Sequence, residues 1–365
     1  VAAWAIAVMG VAPALCLAQP DALLSPWPEQ AGPLSATSTW RVEAGFSGVN
    51  RHIDFSDPED DPALAAQNAR GNYRAAQLAV GWAPMDQAWL SGRLTQRWLS
   101  DGVDRFRYLG WQLAGQWRWH PLSAGAGSPT LAVRVGAWGH HADQTVSSTP
   151  VRVPGAILDT VNIAGPGDRT VQIDAVAGWR LRPNLALSLL ASLGETRLFY
   201  DALTATTTRN GCRYRLQFNG NDIYGELAQA CDAPTVIEQF FDSSGSYGVD
   251  VASEIAWHGR FMQLGLNLRG ESGTWTWAAG WLWHRVRRSG VDEIVRERGR
   301  TAYADNRVLA LDAAWRFQPQ WAWFARAELG SKLFFNELPV SYNSSTAGRF
   351  GGRLSLLSTG LRASF

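Results

Sequence analysis

The sequence predicts an all-β protein: a closed antiparallel transmembrane β-barrel of about twelve strands, with ten or fourteen as the alternatives. Three observations lead there. From residue 39 onward, apolar and polar residues alternate with a period of two over about twelve segments, the pattern of strands with two unlike faces. The connections between these segments are short and long by turns. The chain also holds 19 Trp, and these gather at segment ends, where a membrane–water boundary favours them.

Residues 1–18 form an apolar run ending Cys16-Leu17-Ala18 before Gln19. It reads as the apolar part of a secretory signal peptide with small residues at the cut, its charged start expected upstream. Cys16 is expected to leave with it; a lipid-modified cysteine fits the preceding Pro-Ala-Leu poorly. Residues 19–38 read as a periplasmic lead-in, and 39–365 as the single barrel. Beyond residue 18 no apolar run approaches the ~20 residues of a membrane helix. Cys212 and Cys231 remain as a pair in an oxidising setting, which predicts a disulfide inside one loop. No His lies between them to suggest a metal.

The first strand, 40–48, sets Trp40, Val42, Ala44 and Phe46 against Arg41, Glu43 and Ser47. An acidic loop follows at 50–72. Ala76, Leu78, Val80 and Trp82 mark the second strand, which Pro84 and its neighbours turn back. The third sets Leu90, Leu94 and Trp98 against Arg93, Thr95 and Arg97. The fourth is the clearest, with Leu109, Trp111, Leu113, Trp117 and Trp119 alternating with Gln112, Gln116 and Arg118. The fifth carries Leu131, Val133 and Val135 opposite Arg134. The sixth carries Val171, Ile173 and Trp179 opposite Gln172, Asp174 and Arg180. After a Pro183 turn come Leu185, Leu187, Leu189 and Leu193.

The eighth strand is plain only from Met262 to Leu268. Upstream, Ile255, Trp257 and Phe261 have the other parity, which predicts a bulge near Gly259. The ninth strand shows Trp275, Trp277, Trp281 and Trp283; the tenth shows Leu309, Leu311, Trp315 and Phe317; the eleventh shows Trp323 to Leu329.

The last segment reads LSTGLRASF, with Leu357, Thr359, Leu361, Ala363 and Phe365 on one face. It resembles the closing strand of Gram-negative outer-membrane β-barrels. The resemblance implies an outer-membrane location among lipid and lipopolysaccharide. It also implies that the barrel assembly machinery reads Leu361, Ala363 and Phe365. Short turns near 84, 183, 272 and 319, with a slightly longer one at 121–129, alternate with long loops at 50–72, 139–169, 195–250, 285–304 and 333–347 and a shorter one at 100–105, which agrees with short periplasmic turns and long external loops. A soluble β-sandwich would waste so many Trp at strand ends, and no fixed repeat supports a β-helix.

In such a barrel the second face lines the lumen. Ten arginines take that parity: Arg41, Arg93, Arg97, Arg118, Arg134, Arg180, Arg269, Arg316, Arg326 and Arg362. Only Glu43, Asp174, Asp312 and Glu328 oppose them. Arginine forks bind anions bidentately, and charged rings set pore selectivity. The expected function is therefore a porin-like passive channel for small anionic or polar solutes. The alternative is a structural or surface-interaction barrel whose lumen an Arg–carboxylate network plugs.

A third reading, a hydrolase at the outer rim, would use His140, His141 and Asp143, or His52 and Asp54, but no Ser stands in a recognisable hydrolase context. Catalytic residues, cofactor and metal are therefore expected to be none. The acidic run at 54–61 lacks the spacing of a calcium loop. Arginines at 285–300 either grip lipopolysaccharide phosphates or form an ordinary polar loop. The 195–250 loop, with Tyr214, Phe218, Tyr224, Phe240 and Phe241, reads as a packed structure that gates the mouth or binds surface partners. A formal charge of +1 gives no reason to expect nucleic acid.

Overall fold

A computed structural model describes residues 40–49, 72–101, 104–119, 129–148, 150–153, 156–229, 231, 236–247, 250–332, 342–344, 347–351 and 354–365. The expected signal segment, the lead-in and the acidic run with His52 and Asp54 lie outside the described residues.

Twenty strands, two short α-helices and two 3-10 turns (Ser244–Tyr247 and Ala347–Gly351) follow along the described residues. They begin with β1 (Trp40–Val49), β2 (Asn72–Met85), β3 (Ala88–Asp101), β4 (Asp104–Arg118) and β5 (Thr130–His141). Four short strands come next, β6 (Gln144–Ser147), β7 (Val151–Val153), β8 (Ala156–Leu158) and β9 (Thr160–Ala164). Then come β10 (Gly167–Arg182), β11 (Leu185–Phe199), β12 (Ala202–Arg209), β13 (Cys212–Asn219), β14 (Asp222–Gln229), β15 (Gln239–Ser243) and helix α1 (Val251–Ile255). The rest are β16 (His258–Ser272), β17 (Trp275–Arg288), helix α2 (Val291–Glu297), β18 (Asp305–Arg316), β19 (Trp321–Gly330) and β20 (Leu354–Ser364).

Twelve of the strands close into one barrel in the order β1-β2-β3-β4-β5-β10-β11-β16-β17-β18-β19-β20. β20 returns antiparallel onto β1, with Val42 opposite Ala363 and Ala44 opposite Leu361. Trp40 and Phe365 complete the seam by exchanging two backbone hydrogen bonds, of 3.1 and 2.9 Å. Leu361 and Phe365 are exposed on the outer face; Ala363, whose register partners are Val42 and Trp321, is covered.

The outer face is apolar and the inner face mostly polar, the reverse of a soluble barrel, apart from a buried apolar patch of Val176, Leu190, Leu282 and Val308. Outward Leu113 and Leu193 are 60% and 63% exposed. On β17 the outward run from Trp275 to Trp283 covers nine residues, the length that crosses a hydrocarbon layer. Exposed Trp40, Trp82, Trp119, Trp275, Trp315 and Trp321 ring the short-turn end, and Phe46 and Trp98 mark the other. At the short-turn end, Gly273 takes φ +59 to reverse the chain between β16 and β17, a conformation that a side chain would strain.

Beyond the barrel's outer rim the expected loops are folded. β6, β9 and β12–β15 form a six-stranded sheet in the order β15-β14-β13-β12-β9-β6. Its β12–β13 hairpin turns on Asn210 and Gly211, both with positive φ, as a two-residue Asn-Gly turn requires. Cys212 and Cys231 form a disulfide with Cα atoms 5.0 Å apart. It borders a small core of Ala205, Tyr214, Leu216 and Ile223.

One expectation fails. β16 pairs without a register shift on both sides through Gly259, so there is no bulge there. Ile255 belongs to α1 and Trp257 precedes the strand. Phe261 points inward and is buried, because the interior at that height is apolar.

Candidate functional site

The inward positions build the candidate site. Arg93, Arg97, Arg118, Arg134, Arg269, Arg326 and Arg362 are all buried inside the barrel. Arg41 and Arg180 are half-buried, and Arg316 is exposed at the short-turn end. Its Nη2 donates to the Gly273 carbonyl at 3.4 Å, which holds Arg316 at the short-turn rim of the barrel.

The centre of the interior is an ion-paired square drawn from four strands. Arg362 Nη2 lies 2.9 Å from Glu43 Oε2 and 3.2 Å from Asp312 Oδ2. Arg326 Nη2 lies 3.3 Å from Glu43 Oε1 and 3.2 Å from Asp312 Oδ2. Register explains the meeting: Glu43 faces Arg362 across the β1–β20 pair, and Asp312 faces Arg326 across β18–β19. Both guanidinium groups also sit over the ring of buried Phe324, at 5.4 and 5.1 Å from its centroid. Gly45 leaves room for that ring, since a Cβ there would come within 2.9 Å of Phe324 Cζ. Across the barrel, Arg134 and Gln172 both donate to Asp174, again through register partners on β5 and β10.

Nearer the outer end, Arg97 Nε donates to Tyr73 Oη at 3.1 Å. His140 is buried, and its Nδ1 lies 2.9 Å from Asp168 Oδ2. The Asp168 carboxylate also accepts from the His140 backbone N–H at 2.7 Å. Gln263 Nε2 and His284 Nδ1 are 3.0 Å apart. The strand pleat turns His140 inward and His141 outward, where it is exposed, so the two cannot act on one substrate.

Above this layer lies an apolar cap. Trp138, Leu198, Trp257, Phe261 and Val286 meet Val291 and Val295 of α2 and Tyr342, Ala347 and Phe350. Two polar clasps hold it. Glu254 of α1 accepts from Arg298 at 2.8 Å and from the Ser344 backbone N–H at 3.0 Å. Arg288 pairs with Asp292 at 3.2 Å and donates to the Tyr303 carbonyl at 2.8 Å, its guanidinium 3.9 Å from the Tyr342 ring centroid. Burial pushes the Tyr342 hydroxyl up, with Arg288 opposing and Asp292 assisting. Asp250 caps α1. Burial alone would raise its carboxyl, but donors from Ser253 and Asn221 outweigh that and hold it below the usual carboxylate range.

An apolar belt with aromatic rims therefore encloses a charged, hydrogen-bonded interior, an arrangement that only a lipid surround stabilises. The chain is an integral outer-membrane β-barrel. No family model matches it, and no curated protein does. Solved structures are similar in fold. The translocator domain of autotransporter NalP from Neisseria meningitidis shares 12% identity at a TM-score of 0.48, covering 100% of this chain and 98% of that one. The NanC porin shares 10% at 0.39, covering 89% and 100%. The outer membrane phospholipase A from Escherichia coli shares 8% at 0.34, covering 89% and 92%. By name these three do different work, and likeness at this level assigns none of it to the outer-membrane barrel described here.

The sequence pattern alone reveals neither the pairing of His140 with Asp168 nor the apolar cap: His140, Leu198 and Val286 fall in expected loops, and Trp257 and Phe261 in the strand with the expected bulge. The signal was present in the wrong register. Leu198, Phe261 and Val286 are apolar residues at inward positions, visible once the membrane-facing parity is carried past the rim.

Proposed function

We propose that the barrel is a closed scaffold and that its work is done at the cell surface by the disulfide-bonded sheet. The observation that carries this reading is the burial of the interior: Arg97, Arg134 and Arg326 are only 1%, 2% and 3% exposed. Water that filled a conduit would touch these side chains. Ion pairs occupy the middle of the barrel and the cap covers its outer mouth. The sheet supplies a surface suited to interaction. Exposed Tyr224 and Phe241, with ring centroids 5.1 Å apart, stand beside Gln217, Glu226 and Gln239 around an open groove of about 410 Å³.

A second reading keeps the passive channel for small anionic or polar solutes. What favours it is the nature of the closure, which uses ion pairs and loop contacts that a field or a ligand can part, and the surplus of inward arginine. Planar-bilayer recording separates the two. The closed scaffold predicts a flat baseline at moderate voltage. Stepwise openings with an anion-preferring reversal potential in a KCl gradient would overturn it and promote the channel. In that case changing Arg97 and Arg118 to Glu would reverse the preference.

A further inference from the structure

The outward face of β10, β11, β16 and β17 changes character abruptly at the outer edge of the belt. Below the edge stand Ile173, Leu193, Met262 and Trp281, all exposed and apolar. Immediately above stand Arg169, Arg197, Arg260, Arg285 and Arg287, all exposed. Register makes the crowding explicit. Arg169 faces Arg197 directly across β10–β11, and Arg260 faces Arg287 directly across β16–β17. The two pairs are contiguous, because Arg197 and Arg260 lie on neighbouring strands whose register sets Arg197 against His258 and Glu195 against Arg260. Two acids enter this cluster: Glu195 accepts from Arg260 Nε at 2.7 Å while the Arg260 side chain stays 81% exposed, and exposed Asp305 faces Arg285 across β17–β18.

Like charges directly opposite one another weaken an antiparallel pair, and here it happens twice within four strands. Two carboxylates leave five guanidinium groups short of negative charge; an anion seated between them would relieve it. Arginine forks suit phosphate oxygens, which they meet bidentately. The height of the cluster decides the source. A phosphate held here has the apolar belt directly beneath it, so a ligand with both a phosphate and acyl chains meets both surfaces at once.

We infer that this face is a binding site for a phosphate-bearing glycolipid of the outer leaflet, its phosphate between Arg197, Arg260, Arg285 and Arg287 and its acyl chains along Leu193, Met262 and Trp281. The site is independent of whether the lumen conducts. Native mass spectrometry of the full barrel in detergent micelles tests it with bis-phosphorylated lipid A as the probe. Phosphorylated lipid A is expected to bind at least about tenfold more tightly than the same lipid stripped of phosphate, the scale of one charge-assisted contact. The double variant Arg260→Gln with Arg287→Gln is expected to lose a similar factor while keeping the heat-shifted gel mobility of a folded barrel. Arg182→Gln, at the periplasmic end of β10, is expected to bind as the wild type does. Equal binding of the stripped lipid would overturn the proposal, and that arm needs no variant. So would an equal loss in Arg182→Gln, or displacement of the lipid by inorganic phosphate at matched concentration.

Discussion

The barrel wall and the extracellular sheet are built of the same alternating strands, yet they bury opposite residues. Inside the belt, Leu113 and Leu193 point out and Arg134 and Glu43 point in. In the sheet, Leu216 and Ile223 are buried while Arg213 and Thr208 face solvent. The switch happens within single strands. β11 carries Leu193 outward and, five residues later, Leu198 inward; β17 carries Trp281 outward and Val286 inward. Pleat and parity are unchanged across the rim. What changes is the surround of the outer face, from hydrocarbon to water, and the apolar residues turn to whichever face water does not touch.

The comparison breaks first at the ionic centre. Glu43→Ala removes a carboxylate shared by Arg326 and Arg362 and leaves Asp312 as the one carboxylate both still share. Loss of about 3–5 kcal/mol is expected, read as a lower urea midpoint for refolding in liposomes by Trp fluorescence. Leu113→Arg, at the middle of the β4 belt, is expected to cost about 2–4 kcal/mol by the same assay. Gln217→Arg on the exposed face of the sheet, opposite Thr204 and Tyr224, should stay within about 0.5 kcal/mol. A belt as tolerant as the sheet would refute the inversion.

How much of this was legible follows from the same rule. The twelve spans could be read because the lipid-facing positions stay apolar along each of them, as in Leu109 to Trp119, even where inward Val176, Leu190 and Leu282 are apolar too. The site was legible only in part. The parity that put Arg93, Arg97, Arg134, Arg326 and Arg362 on the inner face was readable from each strand alone. That Glu43 would meet two arginines and Asp312 was not, since it depends on β1 closing against β20 from the far end of the chain. Past the rim, reversal of the apolar face made Phe261 look like a bulge. It also made β12 to β15, each of eight residues or fewer, look like loop.

Two smaller effects sharpen the contrast outside the membrane. Reducing Cys212–Cys231, which are 19 residues apart, is expected to destabilise the sheet by about 3 kcal/mol. Limited proteolysis should then clip within 202–243 while the barrel fragment stays heat-modifiable. Asp250→Ala removes the cap of α1 and is expected to loosen the cap by about 1 kcal/mol. Because the folded Asp250 carboxyl sits below its ordinary value, its contribution is complete above about pH 4 and fades as pH falls through the folded value. Hydrogen exchange at 251–255 should therefore quicken on acidification in the wild type and be less sensitive to it in Asp250→Ala.

The most direct test compares one buried and one exposed hydroxyl by thiol labelling in proteoliposomes. Ser192, on the inner face of β11, is 3% exposed; Thr208, on the sheet, is exposed. With a membrane-impermeant maleimide, Thr208→Cys should react within minutes and Ser192→Cys only after unfolding. Equal reaction of both thiols in the folded barrel would mean that water fills the interior, and the closed scaffold would be contradicted.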